Sequence, residues 1–128
     1  MSLGVNAAKS IAIAETPGED PFLSGEYATH FVKGFQEAPE APGTLLAGAT
    51  CKHFVANSME QSCDGGQCHG REDFDAIVPA RDLVDSYLYP FQQCVERGKA
   101  AGLMCSYNSV RKKPFLIHVY VNTINLPR

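Results

Sequence analysis

The sequence predicts an α/β fold built on parallel strands. Two observations carry this. Its segments alternate in the order helix, strand, long loop, helix, strand, and such alternation implies parallel strands joined by crossover connections. Two apolar runs end in polar clusters, Lys52-His53 and Ser106-Tyr107-Asn108. Polar groups at the ends of buried strands are what an α/β barrel builds its site from.

Each element has a local reason. Residues 1–14 are small and mildly apolar, and Ser10 to Ala14 reads as a short strand. Glu15 to Pro21 holds two prolines and a glycine and reads as a turn. A helix follows, with Ser24 as N-cap, Glu26 near its start, and Tyr27, Phe31, Val32 and Phe35 on one face. Two prolines and a glycine make Glu37 to Gly43 a linker loop. Ala49 to Phe54 reads as a buried strand. Asn57 to Asp73 is polar with three glycines, a surface loop of the length reserved for function or disorder. Phe74 to Val78 reads as a short extended piece.

The clearest helix begins at Ala80 or Arg81. Leu83, Val84, Tyr87, Leu88, Phe91, Cys94 and Val95 keep helical spacing. Asp82 and Asp85 near its start and Arg97 near its end suit the helix dipole. Pro90 removes a backbone donor and should kink the helix, and Gly98 fits a C-cap. Ala101 to Tyr107 is the next strand. Phe115 to Val121 is strand-like.

Composition bounds the function classes. The 128 residues are 45% hydrophobic and 20% charged, a globular balance with enough chain for one core. A net charge of −3 gives no electrostatic case for nucleic acid or an anionic membrane. Arg111-Lys112-Lys113 is too short for a basic patch and reads as a solvated turn. No apolar run approaches the ~20 residues of a membrane span. Lys9 is present near the start, but no apolar core of a signal peptide follows it.

There are five cysteines, an odd number, so one is left over if the rest pair within the chain. Cys63 and Cys68 share a Gly-rich loop where a local disulfide is sterically possible. Cys51, Cys94 and Cys105 lie in apolar runs, where a free cysteine acts as a small hydrophobe. Zinc held by Cys63, Cys68 and His69 is a weaker alternative, because the spacing lacks a second pair.

Four segments in fixed order carry a resemblance: Glu15-Thr16-Pro17-Gly18-Glu19-Asp20-Pro21, Lys52-His53-Phe54, Arg71 in its polar loop, and Met104-Cys105-Ser106-Tyr107-Asn108. Together they resemble the N-terminal barrel of glycoside hydrolase family 3, its β-xylosidase-like branch most closely, from about Glu15 to about Val110. The resemblance divides the chain into a divergent segment 1–14, a central part of the barrel at 15–110, and a divergent tail 111–128. It implies a partial (β/α)8 TIM-barrel fragment with parallel strands, since a whole barrel takes about 250 residues. It also implies a secreted parent enzyme acting on terminal β-linked xylose or glucose, without cofactor or catalytic metal.

Site residues follow from the same resemblance. Lys52 and His53 would hydrogen-bond the hydroxyls of the non-reducing sugar; Lys has three donors and His can donate and accept, which suits vicinal hydroxyls. Read from the residues alone, the pair equally well caps the strand and faces solvent. Neighbours on a strand point to opposite faces, so both reach one pocket only if the backbone leaves the regular pleat, as a non-proline cis peptide would allow. Arg71 would reach a sugar hydroxyl; otherwise it is an exposed loop arginine. Tyr107 would position the substrate or the catalytic carboxylate; otherwise it is a core tyrosine with a wet hydroxyl. Glu15 would brace the pocket rim, and Asp64 reads as structural.

Two expected parts are missing. The Arg-rich stretch before the turn has no counterpart, because residues 1–14 contain no arginine. Retaining hydrolysis uses two carboxyls about 5–5.5 Å apart, and the family takes its Asp nucleophile from a later strand. Here no Asp or Glu follows Glu96. The expectation is a sugar-binding wall without a catalytic residue of its own, or a non-catalytic carbohydrate-binding or interaction module derived from that barrel.

Overall fold

The computed structural model describes residues 16–111 and 113–114. Residues 1–15, 112 and 115–128 lie outside it, and with them the expected strands at Ser10–Ala14 and Phe115–Val121 and the bracing role of Glu15.

The first helix, α1 (Pro21–Gln36), has its cap four residues before the expected one. Asp20 is the N-cap: its Oδ1 accepts from Phe22 N at 2.8 Å and Leu23 N at 3.1 Å. Asp followed by Pro at the first helical position satisfies orphan amides and presets φ, so it wins over Ser24. Ser24 is buried one turn in, where its hydroxyl donates to Gly18 O at 3.3 Å.

The buried face also differs from the expected one. Ser24, Gly25, Ala28, Thr29, Val32 and Gln36 are buried, whereas Tyr27, Phe31 and Phe35 are 41–47% exposed. These three rings stack in sequence at 5.9 and 5.8 Å. The inner face is small because a second helix lies close against it. A Cβ on Gly25 would come within 2.8 Å of Gln93 Cγ and 3.0 Å of Tyr89.

That second helical stretch is composite. A short α2 (Ala80–Asp82) leads into a π-helical segment, Leu83–Leu88, and then α3 (Tyr89–Glu96). The irregularity sits immediately before Pro90, which has no N–H to give to an α-helical turn. The wider turn shifts the apolar face, and Val84 is left exposed. Helix α3 ends with Gly98 N bonded to Gln93 O at 2.9 Å and Ala100 N to Cys94 O at 3.1 Å. Lys99, at φ 59°, takes the left-handed position expected of a terminating glycine. Gly98 serves closeness instead: a Cβ there would lie 2.6 Å from Cys94 O and 3.2 Å from Val32 Cβ.

Strands β1 (Thr50–Phe54) and β5 (Gly102–Cys105) run parallel, Thr50 opposite Gly102 and Lys52 opposite Met104. The expected long loop contains an antiparallel hairpin, β2 (Gln61–Asp64) with β3 (Gln67–Gly70). Gly65 and Gly66 turn it at φ 55° and 85°, the left-handed pair that a two-residue hairpin turn requires. Strand β4 (Asp75–Ala76) runs parallel to β6 (Ser109–Val110), which pairs antiparallel with β7 (Lys113–Pro114). Arg111 turns between β6 and β7. The parallel pairs β1–β5 and β4–β6 and the helices between them make this an α/β arrangement, as expected. Among the described residues no helix is long and apolar enough to cross a membrane.

The core gathers Ala28 and Val32 from α1, Cys51 from β1, Phe91 and Cys94 from α3, and Val55, Ala56, Val78 and Val110 from the connections and β6. Phe54 meets Phe91 edge to face at 4.9 Å. Gln36 closes one end of this core. Its Oε1 accepts from Ala49 N and Ala101 N, each at 2.9 Å, and its Nε2 donates to Lys99 O at 2.9 Å. One side chain thus joins the end of α1 to the approaches of both β1 and β5.

The cysteines correct the expectation of free thiols at 51 and 94: Cys51 and Cys94 form a disulfide that ties β1 to α3 across 43 residues. Both lie in the core and face each other across the strand–helix contact. Cys63 and Cys68 pair within the hairpin, where they stand directly opposite in the ladder. That removes the zinc alternative, and among the described residues no group of three His, Cys, Asp or Glu side chains could hold a metal ion. Cys105 is free and, contrary to its apolar neighbourhood in sequence, exposed.

Candidate functional site

The site is built where β1 and β5 end side by side. Phe54 stands opposite Cys105 after a register shift between Lys52 and Phe54. The next residues lock the two ends together: Ser106 N donates to Phe54 O at 2.7 Å, and Ser106 Oγ and Asn108 Nδ2 both donate to Val55 O at 3.2 Å. Asn108 is buried and also donates to Ser109 O. The sequence marked Asn108 as closing a strand; its work here is to hold the turn that carries Tyr107.

Lys52 and His53 lie in the last part of β1, half-buried. The peptide between them is cis, as is the one between Phe54 and Val55. Asn57 Nδ2 lies 3.5 Å from His53 Nδ1. Which of the two groups donates is set by the imidazole tautomer. Asn57 was only part of the loop in the sequence reading, since an Asn four residues beyond a strand carries no signal of its own.

Arg71 and Tyr107, 36 positions apart in the chain, meet. The guanidinium carbon of Arg71 lies 5.7 Å from the centre of the Tyr107 ring, a cation–π contact. On its other side Arg71 Nη1 is 3.2 Å from Glu60 Oε1. Glu60 precedes β2 and Arg71 follows β3, so the hairpin base sets them side by side. Both remain about half-exposed, and Tyr107 is more exposed still. The structure therefore brings Arg71 to Tyr107, and places Lys52 and His53 at the matching end of the adjacent strand. The sequence reading missed Glu60. Its signal lies in the hairpin: Glu60 and Arg71 flank the ten residues that hold the paired cysteines.

The arrangement offers several hydrogen-bond donors at one end of a parallel strand pair: the Lys52 ammonium, the His53 imidazole, the Arg71 guanidinium and the Tyr107 hydroxyl. Such a set can bind a neutral polyhydroxyl ligand or an anion. Asp64, at the hairpin tip, is exposed. A separate cavity of about 270 Å³ opens between Phe31, Val32 and Phe35 of α1 and Gly48 to Cys51, towards the start of β1 rather than the end that carries Lys52 and His53.

The family model described as "Glycosyl hydrolase family 3 N terminal domain" matches residues 3–126. Beta-D-xylosidase 3 of Arabidopsis thaliana is 45% identical over 101 residues, covering 78% of this chain and 12% of its own length. A probable exo-1,4-beta-xylosidase of Aspergillus terreus is 40% identical over 102 residues, with the same coverage. Among solved structures, an exo-beta-xylosidase in complex with a xylobiose aziridine probe superposes with TM-score 0.73 at 28% identity, over 89% of this chain and 14% of that one. The beta-glucosidase 3B of Thermotoga neapolitana in complex with glucose gives TM-score 0.58 at 38% identity, over 75% and 11%. The chain spans about an eighth of the length of the curated relatives it matches.

Proposed function

The chain belongs to glycoside hydrolase family 3, and from that premise we propose that it forms part of a (β/α)8 barrel and supplies one wall of a pocket for a terminal β-linked xylose or glucose. Lys52, His53, Arg71 and Tyr107 are the substrate-binding residues. The observation that supports this most is the joint placement of the β1 and β5 ends, with Arg71 reaching Tyr107 from the hairpin. Functional groups of α/β barrels stand at this end of the strands. The two disulfides fit an oxidising compartment, where polysaccharide-degrading enzymes work.

The roles follow from the donor chemistry. Lys52 brings a charged donor group to hydroxyls that accept, and the His53 ring can donate to or accept from another. Arg71 uses one edge on Glu60 and presents the rest. Charge-assisted bonds of this kind contribute about 1.5–3 kcal/mol each. Those that tighten as the ring flattens towards an oxocarbenium ion also lower the barrier. In this reading the nucleophilic carboxylate of retaining hydrolysis is not among the chain's 14 Asp and Glu side chains.

The second reading is a non-catalytic carbohydrate-binding or interaction module, which the retained Lys52, His53 and Tyr107 permit and the lack of an arginine in residues 1–14 disfavours. Both readings expect no release of nitrophenol from nitrophenyl β-xyloside or β-glucoside by the purified chain. Turnover above a Lys52→Ala control would overturn both. Joining the chain to the remainder of a family barrel separates them: restored turnover that Lys52→Ala or His53→Ala strongly reduces supports the barrel-wall reading, and an inert barrel that still binds xylose supports the module.

A further inference from the structure

We infer that Glu60 is the positioning residue for Arg71, and that Glu60 and the Tyr107 ring together hold the guanidinium in its sugar-facing position. This rests on the sugar-pocket reading above and assigns a device that sets the pocket's shape. Arginine has a long side chain with many rotamers, and on a loop it pays to become ordered each time a ligand binds. Here the fold offers two restraints, one from the loop and one from the turn after β5. Glu60 Oε1 stands 3.2 Å from Nη1, and the Tyr107 ring lies under the guanidinium at 5.7 Å. A carboxylate edge on one side and a ring face on another fix both the reach and the plane of the group. Several N–H donors are left over for a ligand.

The restraint is built by the hairpin. Gln61 pairs with Gly70 at its base, and Cys63 stands opposite Cys68, where the disulfide holds the register. Glu60 and Arg71 are the next residues outward on the two arms, so the ladder itself delivers the carboxylate to the guanidinium. The tip of the hairpin is exposed and makes no demand on this pairing. An exposed ion pair adds little to fold stability. Removing the Glu60 charge should therefore free Arg71 without unfolding the chain.

The test uses the whole 128-residue chain, isotope-labelled, and xylose as the probe. In Glu60→Gln the nuclear Overhauser contact between the Arg71 side chain and the Tyr107 ring should vanish and the Arg71 Nε–Hε signal should sharpen, with the thermal midpoint unchanged. Xylose affinity, read from shifts at His53, should fall about two- to tenfold, the cost of ordering one long side chain on binding. Glu60→Asp should recover part of the loss. In an Arg71→Ala background Glu60→Gln should have no further effect, because the residue acts through Arg71. Retention of the Arg71–Tyr107 contact in Glu60→Gln, or an equal loss of affinity in the Arg71→Ala background, would overturn the inference. Absence of any xylose response in the unaltered chain would instead overturn the sugar-pocket reading, and with it the ligand role assigned to the clamp.

Discussion

Replacing Gln36 by Met should destabilise the fold well beyond what a surface change would do. Met matches the size of Gln and leaves no large cavity, so the effect isolates the three hydrogen bonds that Gln36 makes to Ala49, Lys99 and Ala101. The Ala49 amide is buried and loses its partner outright, at about 1–3 kcal/mol. The Ala101 amide and the Lys99 carbonyl are partly accessible and regain water, at about 0.5–1.5 kcal/mol each. The total of about 2–6 kcal/mol is a large share of the 5–15 kcal/mol typical of a domain. Urea unfolding followed by circular dichroism measures it, and hydrogen exchange at the Ala49 and Ala101 amides localises it. A midpoint shift worth less than about 1 kcal/mol, or unchanged exchange at both amides, would refute the claim that one side chain ties α1 to the two parallel strands.

Three further outcomes follow from the same packing. Gly98→Ala should destabilise by about 1–3 kcal/mol, because its Cβ would meet Cys94 O at 2.6 Å and neither neighbour is a flexible side-chain end; the urea midpoint reads this. Glu26 is hydrogen-bonded by Arg97, which, against a smaller effect of burial, and with the charges of Arg97 and His30, lowers its carboxyl below the usual range. A lowered folded-state value means that the stabilisation is present above the usual carboxylate range and is lost as pH falls through the folded-state value. Thermal midpoints across that acid window should fall more steeply for the unaltered chain than for Glu26→Gln. Thiol titration of the chain folded under oxidising conditions should find one reactive group, Cys105, against five after reduction and unfolding.

Much of the fold was legible because local chemistry and global packing agree. The runs ending at Phe54 and before Ser106 are strands, and they pair in parallel as the alternation of elements requires. The aromatic stripe of α1 misled for a physical reason. Periodicity assigns the large apolar residues inward, but the closeness of α3 demands Gly25, Ala28 and Thr29 there and turns Tyr27, Phe31 and Phe35 outward. Pro90 was read correctly as a disturbance, but a bare proline does not say whether it yields a bend or a π-helical turn. The Cys51–Cys94 bond was invisible because each cysteine sits in an apolar run that explains it without a partner. At the site, the likeness to a family singled out Lys52, His53, Arg71 and Tyr107. Only the fold could show Glu60 beside Arg71, since that contact depends on a hairpin hidden in a polar loop.

We propose Lys52, His53, Arg71 and Tyr107 as one sugar-binding wall. The most direct measurement is a xylose titration of the labelled chain, read at the backbone amides and the His53 ring. Saturable shifts are expected, confined to the ends of β1 and β5 and to the hairpin base around Arg71. Lys52→Ala should weaken binding about ten- to hundredfold, from the loss of charge-assisted bonds. Shifts that map instead to the cavity beside Phe31 and Phe35, or an affinity indifferent to Lys52→Ala, would contradict it.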